Sequence, residues 1–166
     1  PLSALRRSDI LLVKAGEEKA RPVERLRDRR PGGVFAYSVV NRGISDLRTE
    51  ETIPIETPAK MRLLAFCGIA RPRRFVTTLH EAGLEIVSFL PFPDHHPYPP
   101  DSLREIIRAC RRLGADALIT TRKDAVKLAG RVEEWGDTPI YVLEIGLSIE
   151  TGFDDHWRAF LEKRPV

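Results

Sequence analysis

The sequence predicts an α/β fold, a mostly parallel sheet flanked by helices, Rossmann-like in plan and preceded by an extended linker. Three observations carry this expectation. The short apolar runs Leu63–Cys67, Leu84–Phe92 and Ala117–Thr121 have the length and character of strands in a parallel sheet. The stretches between them place apolar residues three and four apart, the spacing of amphipathic helices. Gly83 and Gly114 close two of those stretches where a left-handed residue ends a helix.

Taken in order, Ile10–Val13 reads as a buried parallel strand. Residues 17–29 are highly charged, with Val23 and Leu26 three apart, and read as an exposed helix interrupted near Pro22. Pro31, Gly32 and Gly33 form a turn into the strand-like Val34–Val40. Residues 41–60 are polar, carry Pro54 and Pro58, and alternate weakly through Thr52–Ile55. They read as an extended linker or an edge ribbon.

From Leu63 the pattern is cleaner. Gly68–Arg71 is a turn, and Pro72 suits the first turn of a helix whose apolar face is Phe75, Val76 and Leu79. Beyond Leu84–Phe92, Ser102 and Glu105 have the spacing of a capping box, ahead of the stripe Leu103, Ile106, Ile107 and Cys110. Ala117–Thr121 is a strand, Lys123–Leu128 starts a helix and Pro139–Ile145 is a further strand. Asp154–Lys163 closes as a helix with Trp157, Phe160 and Leu161 on one face.

Composition bounds the function classes. Of 166 residues, 42% are apolar and 31% charged, a soluble globular balance and not a disordered one. No apolar run approaches the roughly 18 residues that span a bilayer. There is no signal-peptide pattern and no initial Met, so a fragment or a processed chain is expected. The net charge of +3 is unevenly spread. Basic stretches lie at Arg21–Arg30, at Arg71, Arg73 and Arg74, and at Arg104–Arg112. The first and third are best read as solvated helix faces. No aromatic residues are interleaved with them as a single-strand nucleic-acid groove requires, so no nucleic-acid partner is expected. Cys67 and Cys110, without C-x-x-C spacing, suggest buried thiols in a reducing compartment.

Right-handed crossovers bring the loops after Cys67, Phe92 and Thr121 to one edge of the sheet, where open α/β sheets bind ligands. Asp94, His95 and His96 supply a carboxylate and two imidazoles in three residues, between Pro93 and Pro97. Such a group suits metal binding, a proton relay or orientation of a substrate hydroxyl. Adjacent side chains in extended chain point opposite ways, so one histidine is expected to face the site and the other to pack in its wall. Thr121, Lys123 and Asp124 open the helix after a strand, and Arg71 can fork onto a phosphate. With His96 and Tyr98, these residues are the candidate substrate or phosphate contacts. The simpler reading of Thr121 and Asp124 is helix capping. The phosphate-loop pattern G-x-x-x-x-G-K-[ST] does not occur in the chain.

The strings Phe66-Cys67-Gly68-Ile69-Ala70-Arg71-Pro72-Arg73-Arg74-Phe75, Phe92-Pro93-Asp94-His95-His96-Pro97-Tyr98 and Thr120-Thr121-Arg122-Lys123-Asp124-Ala125-Val126-Lys127-Leu128 resemble the tetraacyldisaccharide 4′-kinase family, in its order and at about its spacing. The opening Pro1–Asp9 also resembles the family's segment just past its acidic motif. The resemblance covers the second half of a family member. It implies a phosphate-loop kinase of lipid A biosynthesis that transfers the γ-phosphate of ATP, with Mg2+, to the 4′-hydroxyl of a tetraacylated disaccharide 1-phosphate.

On this resemblance, residues 1–37 would be the tail of an upstream phosphate-loop kinase domain and 38–59 an extended linker. Residues 60–166 would be a C-terminal α/β domain whose last strand and helix, 139–166, are able to return to the upstream domain. The phosphate loop, the catalytic aspartate and a membrane-facing helix would precede Pro1. The isolated chain would then be inactive and carry no cofactor of its own. The resemblance implies that His95 partners the upstream catalytic aspartate, with Asp94 beside it as the second catalytic candidate. It further implies a monomer at the cytoplasmic face of the bacterial inner membrane, reaching it through the missing N-terminal part; the fragment alone would be soluble and cytoplasmic. Arg122 stands where the family usually carries Glu, and Ala70 where it often carries Gly.

Two other readings stay open. One is a metal-dependent phosphoesterase built on Asp94, His95 and His96, with Asp124 as the one obvious further ligand. The other is a non-catalytic anion-binding module on the arginine loops.

Overall fold

The computed structural model describes residues 8–15, 26–27 and 33–163. The expected helix over 17–29 therefore lies outside the described residues apart from Leu26 and Arg27. The chain divides into two compact units, one formed by 1–40 with 146–166 and the other by 41–145.

In the first unit, β1 (Leu11–Lys14) pairs in parallel with the start of β2 (Val34–Asp46), from Leu11 opposite Val34 to Lys14 opposite Tyr37. Glu150, at the end of β7 (Ile140–Ile149), accepts from the Ala36 amide at 2.9 Å and pairs with Arg27. The closing helix Phe153–Glu162 (α5 in the series below) stacks Phe153, Trp157 and Phe160 along its length. Phe153 also meets Phe35 edge-on at 5.3 Å.

The second unit holds the predicted α/β layers. Its elements are the end of β2, β3 (Thr52–Ile53), α1 (Glu56–Ala59), β4 (Arg62–Cys67), α2 (Pro72–Glu81), β5 (Glu85–Pro91), α3 (Pro100–Leu113), β6 (Ala117–Thr121), α4 (Arg122–Leu128), a 3₁₀ segment (Ala129–Trp135) and the start of β7. Strands run in the order β7-β6-β4-β5, all parallel, while β3 pairs antiparallel with β2. The sheet is thus mostly parallel, as expected.

Strict alternation explains why the strand sequences are apolar throughout. Leu64 and Phe66 point into one core with Leu103, Ile106, Leu118, Leu128 and Trp135. Leu63, Ala65 and Cys67 point into the other with Phe75, Leu79, Ala117 and Ile119. Both faces are covered, so neither tolerates polar alternation.

Helix ends follow the sequence signals. Pro72 sits in the first turn of α2. Past its end, Gly83 (φ 78°) donates to the His80 carbonyl at 2.9 Å and Leu84 to the Leu79 carbonyl at 3.2 Å, a Schellman closure. Gly114 caps α3 with φ 59°.

One open reading is decided and one expectation changes. Of the linker and edge-ribbon readings of residues 41–60, the structure shows the ribbon. Residues 38–59 complete β2, turn into β3 and form α1, with Ile44 and Leu47 buried in the second unit. The weak alternation at Thr52–Ile53 is pairing against Ser45 and Ile44. Ser102 is not a helix cap either: α3 begins at Pro100, so Ser102 lies inside its first turn with its hydroxyl free for another partner.

Candidate functional site

The parallel order places the carboxyl ends of β4, β5 and β6 on one edge of the second unit. Backbone hydrogen bonds join the loops there. Phe92 donates to the Cys67 carbonyl at 2.8 Å, His95 to the Gly68 carbonyl at 3.1 Å, and His96 to the Pro93 carbonyl at 3.1 Å. Gly68 is buried beneath this turn. A Cβ there would meet the Pro93 carbonyl oxygen and His96 Cβ at 3.0 Å each, so the close approach requires glycine. His95 (φ 62°) and Tyr98 (φ 53°) both adopt left-handed backbone. That region is sparsely populated by non-glycine residues and concentrates at sites held by their surroundings.

The two histidines part company as expected, but through the left-handed backbone of His95 and not through the alternation of an extended chain. His95 is exposed. Its Nε2 lies 3.4 Å from Lys123 Nζ and 3.8 Å from Asp94 Oδ2. Lys123 Nζ also donates to Asp94 Oδ1 at 3.0 Å. This hydrogen bond, opposed by a little desolvation and aided by His95, holds the Asp94 carboxyl below its ordinary 3.8. The result is an exposed carboxylate, ammonium and imidazole in mutual contact.

His96 turns inward. Its ring stacks on Phe92 at 4.7 Å, and its Nε2 shares a 2.7 Å hydrogen bond with Ser102 Oγ. Tyr98 is fully buried, edge-on to Phe66, Phe92 and His96. Burial, and then the Asp124 charge, push its phenol above the ordinary 10.0. His96 and Tyr98 therefore build the wall of the turn, and the structure does not bring them to the surface as substrate contacts.

Asp124 is fully buried. Its Oδ2 accepts from the Gly68 amide at 2.9 Å and Thr121 Oγ1 at 2.8 Å, and its Oδ1 from Lys127 Nζ at 2.9 Å. Thr121 Oγ1 accepts the Asp124 amide at 3.2 Å, the helix cap that the simpler sequence reading expected. Asp124 thus faces inward and not toward a ligand. Burial, and then the Asp124 charge, push the neighbouring Cys67 thiol up to about 12.

Arg122 leaves the cluster for a different partner. Its guanidinium forks onto Glu144 of β7, 3.0 Å from Nε, and reaches Ser45 Oγ at 3.1 Å. The Glu144 hydrogen bond raises the Arg122 pKa. Burial alone would raise Glu144, but the bonds from Arg122 and Ser45 bring it below its ordinary 4.5. Arg71 stands exposed at the entrance to α2, with no ion-pair partner among the described residues.

Sequence reasoning passed over Lys127 and assigned Ser102 to a helix cap instead of to His96. The signal for Lys127 was its spacing of three from Asp124 on a helix, which places two opposite charges together. Among the described residues no group of three His, Cys, Asp or Glu side chains stands close enough to hold a metal ion. Lys123 already occupies the side of Asp94 where a cation would sit, which disfavours the metal-dependent reading.

These features define an α/β protein with a mostly parallel sheet and a polar site at the carboxyl ends of its strands. Residues 1–163 match the family model described as tetraacyldisaccharide-1-P 4′-kinase, and the chain belongs to that family. It is 54% identical over 97 residues to the tetraacyldisaccharide 4′-kinase of Methylobacterium radiotolerans, covering 58% of this chain and 29% of that one. It is 34% identical over 160 residues to that of Geobacter metallireducens, covering 93% of this chain and 46% of that one. The chain spans less than half the length of these curated relatives. The crystal structure of the "apo" form of LpxK from Aquifex aeolicus in complex with ATP superposes with a TM-score of 0.62 at 19% identity, covering 97% of this chain and 44% of that one. At that identity the likeness establishes the shared fold.

Proposed function

We propose that this chain is the C-terminal part of a kinase that transfers the γ-phosphate of ATP to the 4′-hydroxyl of tetraacyldisaccharide 1-phosphate. The observation that carries the reading is the exposed Asp94–Lys123–His95 cluster on the strand-end edge of a chain in this family.

The cluster suits one side of a phosphoryl-transfer centre. Such reactions depend on positioning and charge stabilisation more than on covalent chemistry. His95 Nε2 is the group placed to take up or relay the proton of an attacking hydroxyl. Asp94 and Lys123 set an acceptor and a cation beside it, and Arg71 adds a cation at the same edge. ATP would supply the phosphoryl group, and Mg2+ bound with it would neutralise its charge. The residues here fit the rim of that centre and not a nucleotide cradle, because glycine-rich phosphate-loop backbone is not among them. His95 is read as the partner of an aspartate on the part of the protein upstream of Pro1. On the same reading the complete enzyme is a monomer working at the cytoplasmic face of the bacterial inner membrane.

The test is phosphorylation of the acceptor lipid, followed by mass spectrometry, with the complete protein and with this chain alone. The proposal predicts 4′-phosphorylation with the first and none with the second. Robust transfer by the chain alone, or none by the complete protein, contradicts it.

A further inference from the structure

Lys127 carries an ammonium that the proposed chemistry does not use. It lies one helical turn beyond Lys123 on α4, half-buried where Lys123 is exposed. Its Nζ donates to Asp124 Oδ1 at 2.9 Å and to the His96 carbonyl at 3.0 Å, and sits 5.4 Å from the Tyr98 ring centroid. The other oxygen of Asp124 takes the Gly68 amide and the Thr121 hydroxyl. One ion pair therefore fastens all three strand-end loops from beneath.

We propose that Asp124 and Lys127 are positioning residues for His95. The inference rests on the reading of His95 given above. His95 holds a left-handed backbone, which persists only where neighbouring groups over-determine it. Its own amide is pinned to the Gly68 carbonyl at 3.1 Å. The carbonyl of the next residue is pinned to Lys127. Asp124 supplies the common anchor, since it binds the Gly68 amide on one side and Lys127 on the other. The pair thus sets both ends of the peptide segment that carries the imidazole, without reaching the reacting atoms.

Removing one charge would strand the other in the interior, so the variant to use is the paired Asp124→Asn, Lys127→Met, made in the complete kinase. Misplacement of a reacting group by about 1 Å costs about a hundredfold, so kcat is expected to fall about tenfold to a hundredfold with KM for ATP within about twofold. In a His95→Ala background the same pair should lower kcat by no more than about twofold, because residues acting as a unit are non-additive. Full additive losses in both backgrounds overturn the proposal. A second readout is the imidazole NMR signal of His95. It should shift in the paired variant, and an unmoved signal overturns positioning whatever the rate does. If His95→Ala alone leaves kcat unchanged, the catalytic reading fails and the imidazole signal decides the positioning claim by itself.

Discussion

Lys123 Nζ reaches across 29 residues of sequence to donate to Asp94 Oδ1 at 3.0 Å, and in doing so comes within 3.4 Å of His95 Nε2. A loop carboxylate, a helix-start lysine and a left-handed histidine become one exposed cluster through that contact. Each member is ordinary alone. Together they give an imidazole with a fixed donor and a fixed acceptor beside it.

The contact sets a pH dependence. The Asp94 carboxyl is held below its ordinary 3.8, chiefly by the Lys123 hydrogen bond. A depressed carboxyl favours the paired state above its ordinary value, and the benefit is lost as pH falls through the lowered one. A side-chain carboxyl NMR titration should therefore show a midpoint below 3.8 for Asp94. Lys123→Met should move that midpoint upward. An unchanged midpoint in the variant would show that Lys123 does not hold the carboxylate.

Gly68→Ala tests how tightly the turn is seated. The new methyl meets a backbone oxygen and His96 Cβ at 3.0 Å, and a backbone neighbour yields less readily than a side-chain tip. Overpacking of this kind costs about 1–3 kcal/mol, read as a lower denaturation midpoint. The displaced turn should also lower kcat. A variant as stable and as active as the parent would show that the turn has room the structure does not display.

Arg122 forks onto Glu144 and reaches Ser45, so its charge is matched by a carboxylate of β7. Arg122→Glu places two carboxylates together. The guanidinium side chain is 44% exposed, so solvent screening limits the loss to about 1 kcal/mol. Adding Glu144→Arg should restore most of it in a thermal or denaturant melt. A swap that restores nothing would remove the pair from the stability of β7 and α4.

Much of this was legible in the sequence. The strands β4, β5 and β6 and their order of appearance followed from apolar runs that alternate between two covered faces, and Gly83 and Gly114 marked helix ends. The loops Gly68–Arg71, Asp94–Tyr98 and Arg122–Asp124 were expected on one edge, and parallel pairing puts them there. What was not legible is direction. Sequence spacing does not tell that Asp124 and Tyr98 turn inward while Lys123 and His95 face out, because that depends on which side of each loop the neighbouring strand presses. Nor does it tell that Ser102 serves His96 and not a helix end, since α3 starts two residues before the capping signal. Residues 41–60 left a linker and an edge ribbon both open for a related reason. A polar hairpin and a four-residue helix leave too short a pattern to separate from a linker.

The central claim is that His95 takes part in phosphoryl transfer. The direct measurement is kcat of the complete kinase carrying His95→Ala, with ATP, Mg2+ and tetraacyldisaccharide 1-phosphate at saturation. Loss of a positioned acid–base group predicts a fall of about 10²–10⁴-fold with the melting temperature retained, because the side chain is exposed. A kcat equal to that of the parent would contradict the account.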